Sequence, residues 1–430
     1  MRGKTNILPM VGGYINAPVE NYIAGENLQL GDLVQKSYTG QEVQIYKTLR
    51  TDLRHYCIKP HKLYDGKLAL YSNGNSSADS ANFYATLIDV QINDVVENKV
   101  SLCSNISHSG YFFCPIDNRT VLLFYNHGSD IGCKKIVYNE GEFTVTDITV
   151  TGSINAAYFT NSEYAWNWEY GNGGTLVKSN YGFIYVTLSN DVANTACVNI
   201  DSQYHNGQFT KILYIEDYDY FLVNYGNLVS TKKVVYSNGT LTVNTITCPT
   251  IYYPEKFGDY ILAKIIENGY IKLAVCSVSD DEIELESVIQ TDITGSTSNY
   301  GAMSLFCSED IFAFIHRVSG SSVSTKFSLK SYAFNEGIVL GDTTELNVST
   351  SASQGYYSEF VKVGTGYLIF NYTPAESGYA YCCYQEMNGI NFADDSVPKM
   401  VKAVGRIEGV VKRGGNANES VEVFVLQASS

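Results

Sequence analysis

The chain has 430 residues, more than one compact core usually holds, so two domains or a repeat array are expected. Its 29 Lys and Arg stand against 44 Asp and Glu, a net charge of −15 that leaves no basic patch to displace counterions and excludes nucleic acid as a partner. Of the residues 45% are hydrophobic, with 35 Tyr and 19 Phe but only 8 Pro, and long Ala/Leu/Glu/Lys runs are missing; the composition predicts an almost entirely β chain.

The opening stretch, MRGKTNILPMVGGYINAPVE, has no apolar run suited to a signal peptide, and no membrane-length apolar run follows. Synthesis and folding in a reducing cytoplasm are expected, without a membrane partner. The cysteines fit that setting: Cys57, Cys103, Cys114, Cys133, Cys197, Cys248, Cys276, Cys307, Cys382 and Cys383 contain no C-x-x-C pair. They read as small apolar fillers, and neither a metal nor a cofactor is expected. Triplets such as Asn238-Gly239-Thr240 then carry no glycan.

From Asp65 onward an aromatic-aliphatic strand recurs. It reads DGKLALYS at Asp65, TVLLFYN at Thr120, GFIYVTLS at Gly182, DYFLVNYG at Asp219, DYILAKII at Asp259, DIFAFIHR at Asp310 and GYLIFNYT at Gly366. The spacing averages about 50 residues, the signature of a repeat architecture. Two copies keep more than the strand: KKIVYNEGEFTVTDIT from Lys134 returns as KKVVYSNGTLTVNTIT from Lys232. In the clearest unit, residues 251–290, four short strands, IYYPEKFG, DYILAKII, YIKLAVCSVS and EIELESVIQ, are joined by tight turns, with Asn268-Gly269 and Asp280-Asp281 at the second and third. Asn-Gly pairs supply the positive φ of two-residue hairpins, and the tips of the repeated segment are predicted at Glu140-Gly141 and Asn238-Gly239.

Four-stranded antiparallel units of this length build a β-propeller, because each sheet has two apolar faces that only its neighbours can cover. The expectation is a seven-bladed propeller over residues 54–394, with six or eight blades or an open β-solenoid as rivals. The recurrent strands are assigned to the innermost position. The third unit is the least regular, since its early part is longer. The acidic runs EDYDY (Glu216–Tyr220) and DDEIELE (Asp280–Glu286) match no calcium-loop spacing and read as solvated turns and strand edges.

Residues 1–53 and 395–430 read differently, as strands and turns outside the array. If the LVQ strand after Gly31-Asp32 pairs with VEVFV after Glu419-Ser420, both ends form one small β-barrel or sandwich with the propeller inserted in it. The elements AGENLQLGDLV and AVGRIEGVVKRGGNANESVEVFV resemble the small β-domain of tailed-bacteriophage virion surface proteins, including capsid-decoration and head-fibre proteins and some tail appendages. Gly25, Gly31, Asp32, Gly409, Gly414, Gly415 and the final Val-rich strand carry the likeness, which covers only the two ends. The long insert and the residues Arg406 and Glu408 beside Gly409 depart from the family pattern. The resemblance implies a multicopy structural protein of the virion, made in the host cytoplasm, docked to other virion proteins through this domain, and engaged in capsid decoration or host attachment.

No motif for catalysis is present: there is no G-x-S-x-G elbow, no phosphate-binding G-x-x-x-x-G-K-[ST] and no H-E-x-x-H. No catalytic residue is therefore assigned. A glycan-cleaving propeller would use a carboxylate pair at the channel mouth that no local spacing reveals, and it stands as the alternative function. The binding candidates are aromatic. EYAWNWEY places Tyr164, Trp166, Trp168 and Tyr170 at one parity, so a strand turns all four to one face, where rings suit the apolar faces of sugars. The competing reading packs that row between blades. Tyr356 and Tyr357 form a second candidate of opposite parity. His316, with Arg317, and His127 end recurrent strands where a channel opens, and a satisfied structural histidine is the favoured role for each. Host-surface polysaccharide is the expected ligand class.

Overall fold

A computed structural model gives the strand backbones of the whole chain. It describes the side chains of residues 60–71, 82–89, 98–106, 108, 110–159, 167–179, 181–201, 211–225 and 230–290. The strands form a closed five-stranded barrel and seven blades: six four-stranded units, two of them joined in one eight-stranded sheet, and a five-stranded first unit. In blade 1 the short strands Arg54–His55 and His61–Lys62 both pair with Leu68–Asn73 as an interrupted first strand, followed by Ala81–Gln91 and Asp94–Ile106. Blade 6 runs Met303–Cys307, Ile311–Ser321, Ser324–Phe334 and Ile338–Leu346. The protein is a seven-bladed β-propeller with a small barrel made from both ends of the chain.

Blade 5 matches the sequence reading closely, with strands Tyr252–Phe257, Tyr260–Glu267, Tyr270–Val278 and Ile283–Thr294. Blade 2 runs Gly110–Pro115, Thr120–His127, Asp130–Asn139 and Glu142–Gly152. Blade 4 runs Thr210–Ile215, Tyr220–Tyr225, Ser230–Ser237 and Thr240–Thr245. The duplicated sixteen-residue segment is thus the third-to-fourth hairpin of blades 2 and 4. Its tips have positive φ as expected: 48° and 94° at Glu140-Gly141, and 51° and 78° at Asn238-Gly239. Such a turn matches the twist of the flanking strands, and glycine holds the second position without a Cβ clash.

The recurrent aromatic-aliphatic segments are not innermost. First strands of neighbouring blades touch one another, from blade 2 through blade 7, so the first strands line the axis. The recurrent segments are the second strands of six blades. In blade 3, whose strands are Trp168–Gly171, Gly174–Lys178, Gly182–Ser189 and Val192–Asn199, the segment at Gly182 is the third. A second strand has a partner on each side and a blade against each face, so it is the most apolar of the four. A first strand borders the channel and admits residues such as Lys211 and Glu255.

Alternation along these strands divides the core into seams. In blade 2, Val121 and Leu123 join the cluster with Leu63, Phe83 and Tyr138 toward blade 1, while Leu122 and Phe124 join Phe159, Val177 and Ile184 toward blade 3. In blade 4, Phe221 and Val223 face Leu176 and Phe183 of blade 3, while Tyr220 and Leu222 face Ile261 and Ala274 of blade 5. Each fully buried Phe or Leu of this kind contributes about 1.5–3 kcal/mol relative to exposure. Cys114 and Cys133 fill one seam and Cys276 another, as apolar fillers, and the described cysteines are all free thiols.

The ring closes across the chain ends. Gln44–Arg50 lies before residue 54, where the sequence placed the start of the propeller, yet it pairs antiparallel with Ala380–Asn388 as the fourth strand of blade 7. The other three strands of that blade come from residues 357–388. In the barrel, Val19–Ala24 pairs with Lys399–Ala403 in parallel and with Ser420–Val425 antiparallel. Leu33–Ser37 pairs with Lys399–Ala403 and Gly409–Arg413. The expected direct pairing of LVQ with VEVFV is therefore replaced: both flank Gly409–Arg413.

Candidate functional site

The predicted aromatic row does not lie on one exposed face. Trp168 is buried in the seam between blades 2 and 3, with its ring edge-on to His61 at 6.3 Å. Tyr170, two residues on, is exposed, because the strand ends at the Asn172-Gly173 turn and its last ring projects past the blade. Tyr164, Trp166 and Tyr356 lie outside the described residues. Tyr357 begins the first strand of blade 7 and is paired there with Tyr372. His127 is an exposed strand end opposite Asp130. His316 and Arg317 sit on the second strand of blade 6, paired with Ser328 and Phe327, rather than on an axial strand.

A histidine with the structural role expected of such residues is His61, on the first strand of blade 1. Its Nδ1 accepts from the Tyr71 hydroxyl at 2.8 Å and its Nε2 donates to the Asp117 carbonyl at 2.6 Å, an arrangement that fixes the neutral tautomer. Burial lowers its pKa, against smaller opposing contributions from Asp117.

The second strands of blades 2 to 5 each carry a buried polar residue in their later half. In blade 4, Asn224 donates to Thr231 Oγ1 and the Ile251 carbonyl and accepts from the Tyr253 amide, tying down the connection to blade 5. Asn126 of blade 2 donates to the Ala156 carbonyl of its own outgoing connection. Lysines take this place in blades 3 and 5. Lys178 is buried, donates to the Ser179 carbonyl, and has its pKa lowered to about 7 by burial. Lys264 is also buried, with its ammonium 4.2 Å from the Tyr253 ring centre. Burial holds its pKa well below the usual value; Glu255 raises it and Lys211 lowers it further. Lys211 and Glu255 form an ion pair between the first strands of blades 4 and 5. These amines are enclosed, so the group bears on stability and blade alignment rather than on surface chemistry. The sequence signal was a lone lysine in an apolar strand, in TLVK and ILAKII.

The opposite end of the ring carries the turns between first and second strands. On blades 1 and 2 these turns are knitted together: the Tyr138 hydroxyl donates to Asp65 at 2.7 Å, Lys67 pairs with Asp65 at 2.9 Å, and Arg119 lies over the Tyr64 ring. Burial alone would raise the Asp65 pKa, but the hydrogen bonds from Tyr138 and Lys67 hold it low. On blades 3, 4 and 5 the same end presents exposed rings, Tyr170 at 49%, Tyr218 at 42% and Tyr260 at 38% exposure. Tyr218 sits in the short 3-10 turn Glu216–Tyr218, and Tyr260 follows Gly258-Asp259. The sequence reading passed over these two because Tyr218 stands in a turn and Tyr260 only opens a strand, so neither belongs to a row of regular parity. Among the described residues no group of three or more His, Cys, Asp or Glu could hold a metal ion.

In the barrel, Gly409 opens the strand Gly409–Arg413 and is paired with Val34 and Val425. Gly25, Gly31, Asp32, Gly414 and Gly415 lie outside the described residues.

No model of a known protein family matches the sequence, and no curated protein matches it. Among solved structures, a candidate 6-phosphogluconolactonase from Bacteroides uniformis is 12% identical, covers 75% of this chain and 95% of its own, and superposes with a TM-score of 0.43. A protein from Lactobacillus plantarum is 12% identical over 70% of this chain and 87% of its own, with a TM-score of 0.43. The WD40 domain of SCAP from fission yeast is 9% identical over 85% of this chain and all of its own, with a TM-score of 0.39. Likeness at this level concerns strand architecture and carries no argument about what the chain binds.

Proposed function

We propose that the chain is a non-enzymatic structural protein of a tailed-bacteriophage particle, docked by its barrel to other virion proteins and displaying the propeller outward as a capsid decoration or tail appendage. The observation that carries this reading is the insertion architecture. The barrel takes Val19–Ala24 and Leu33–Ser37 from one end of the chain and three strands from residues 399–425 at the other. A propeller spliced into one connection of a small closed barrel leaves that barrel as a compact base, and the two sequence elements likened to virion surface domains contribute strands to it. An acidic exterior suits a soluble module present in many copies, where avidity multiplies weak contacts. Mass spectrometry of purified particles, with stoichiometry, tests the proposal. A fixed copy number per particle is expected, many for a head coat and a handful for a tail tip; absence from the particles overturns it.

A further inference from the structure

We infer that the end of the ring bearing the first turns of blades 3, 4 and 5 is a binding face for a neutral polysaccharide. The inference rests on the display role proposed above for its biological setting, although the binding can be read on the isolated chain.

Three successive blades place a tyrosine at this end, Tyr170, Tyr218 and Tyr260, each at least 38% exposed. Successive blades present successive rings, and a polymer with a repeating unit can engage such a series where a single compact ligand cannot. A phenol ring offers a flat apolar face to sugar C–H groups and a hydroxyl to their oxygens. The turns add exposed acceptors, Glu216, Asp217 and Asp259, while Lys256 is the exposed cation beside them. Other lysines reaching toward this end are engaged: Lys135 with Asp191 at 2.7 Å, and Lys233 with Asp280. Carboxylates accept hydrogen bonds from sugar hydroxyls and repel a polyanion, so the charge selects an uncharged chain over an acidic one. At the neighbouring ends of blades 1 and 2, Tyr64 and Tyr138 are tied into the Asp65 network and neither ring is exposed.

The opposite end supplies an internal control. Tyr181 and Tyr270 are exposed to a similar degree, 38% and 40%, but stand at turns between second and third strands. Affinity electrophoresis of the full chain through gels containing dextran, mannan, galactan or polygalacturonate tests the assignment. Retardation by at least one neutral polymer and none by polygalacturonate is expected. The combined variant Tyr170→Ala/Tyr218→Ala/Tyr260→Ala should weaken retardation by about tenfold or more, as loss of central aromatic anchors does elsewhere. Tyr181→Ala/Tyr270→Ala should leave it unchanged, and Tyr218→Ala alone, altering one turn side chain, should weaken it partially. Failure of all three neutral polymers, equal loss in the control pair, or stronger retardation by polygalacturonate each overturns the inference. The outcomes separate cleanly from the particle experiment: absence from particles defeats the display role and leaves a measured glycan contact standing, whereas loss of the contact leaves the docking role untouched.

Discussion

Lys178 costs the fold stability that a neutral side chain would not. Its amine is buried with one carbonyl acceptor, and its pKa falls from 10.5 to about 7 because burial disfavours the charged form. The unfolded chain therefore binds a proton that the folded chain refuses between about pH 7 and 10.5, so this residue makes stability rise with pH across that window and depresses it fully below the window. Lys178→Met should raise stability by an amount on the order of 2–4 kcal/mol near pH 6, with the gain vanishing toward pH 10.5. Urea unfolding of both proteins at the two pH values checks this; a gain that does not change with pH would show that the amine is not the cause. Asn224 is the opposite case, a buried polar residue with every partner in place. Asn224→Ala should cost about 2–4 kcal/mol, since the Tyr253 amide and Ile251 carbonyl lose their partner inside the seam. An unchanged melting temperature would refute that assignment.

At the scale of elements, tyrosine explains itself. Its rings fill the wedge between blades and its hydroxyls close the seams where a phenylalanine would strand backbone groups. Tyr220 donates to the Ser279 carbonyl of the next blade at 3.0 Å, and Tyr185 donates to the Gly171 carbonyl while stacking on Tyr236 of blade 4 at 4.0 Å. Close approach also fixes Gly171: a Cβ there would meet the Tyr214 ring at 2.2 Å. Gly171→Ala should accordingly destabilise by about 1–3 kcal/mol by overpacking, measurable as a lowered denaturation midpoint, whereas Gly173→Ala meets no atom and acts only through its φ of 74°. Equal costs at the two positions would contradict the packing argument. The hairpins were legible because their signals are local: Asn-Gly at the tip and alternation on both sides specify the turn within ten residues. The irregular blade 3 was not, since two of its four strands, Trp168–Gly171 and Gly174–Lys178, precede the recurrent segment and put it in third place without altering its composition.

The whole molecule depends on a closure made by residues far apart in sequence. Gln44–Arg50 completes blade 7 against Ala380–Asn388, so the ring is held by pairing between an early strand and three late ones. Deleting residues 44–50 should open the ring, leave blade 7 with three strands, and replace one cooperative thermal transition by a broad one with early proteolysis in residues 357–388. A deletion variant that melts as sharply as the intact chain would show that closure lies elsewhere. The barrel follows the same logic, since neither of its halves has enough strands to close alone.

What the sequence determined by itself was the β character, the period, the four-strand unit and the gathering of both chain ends into a separate domain. Those follow from composition and from patterns that act over a few residues, where alternation and turn chemistry decide the outcome. Only the tertiary structure decided which strand lines the axis, which early strand closes the last blade, how the barrel strands pair, and that Trp168 goes inward while Tyr170 goes outward from the same strand face. Pairing between distant strands leaves no mark in either segment, because backbone hydrogen bonds are alike for any sequence. Whether a ring is covered depends on what the neighbouring blade brings beside it.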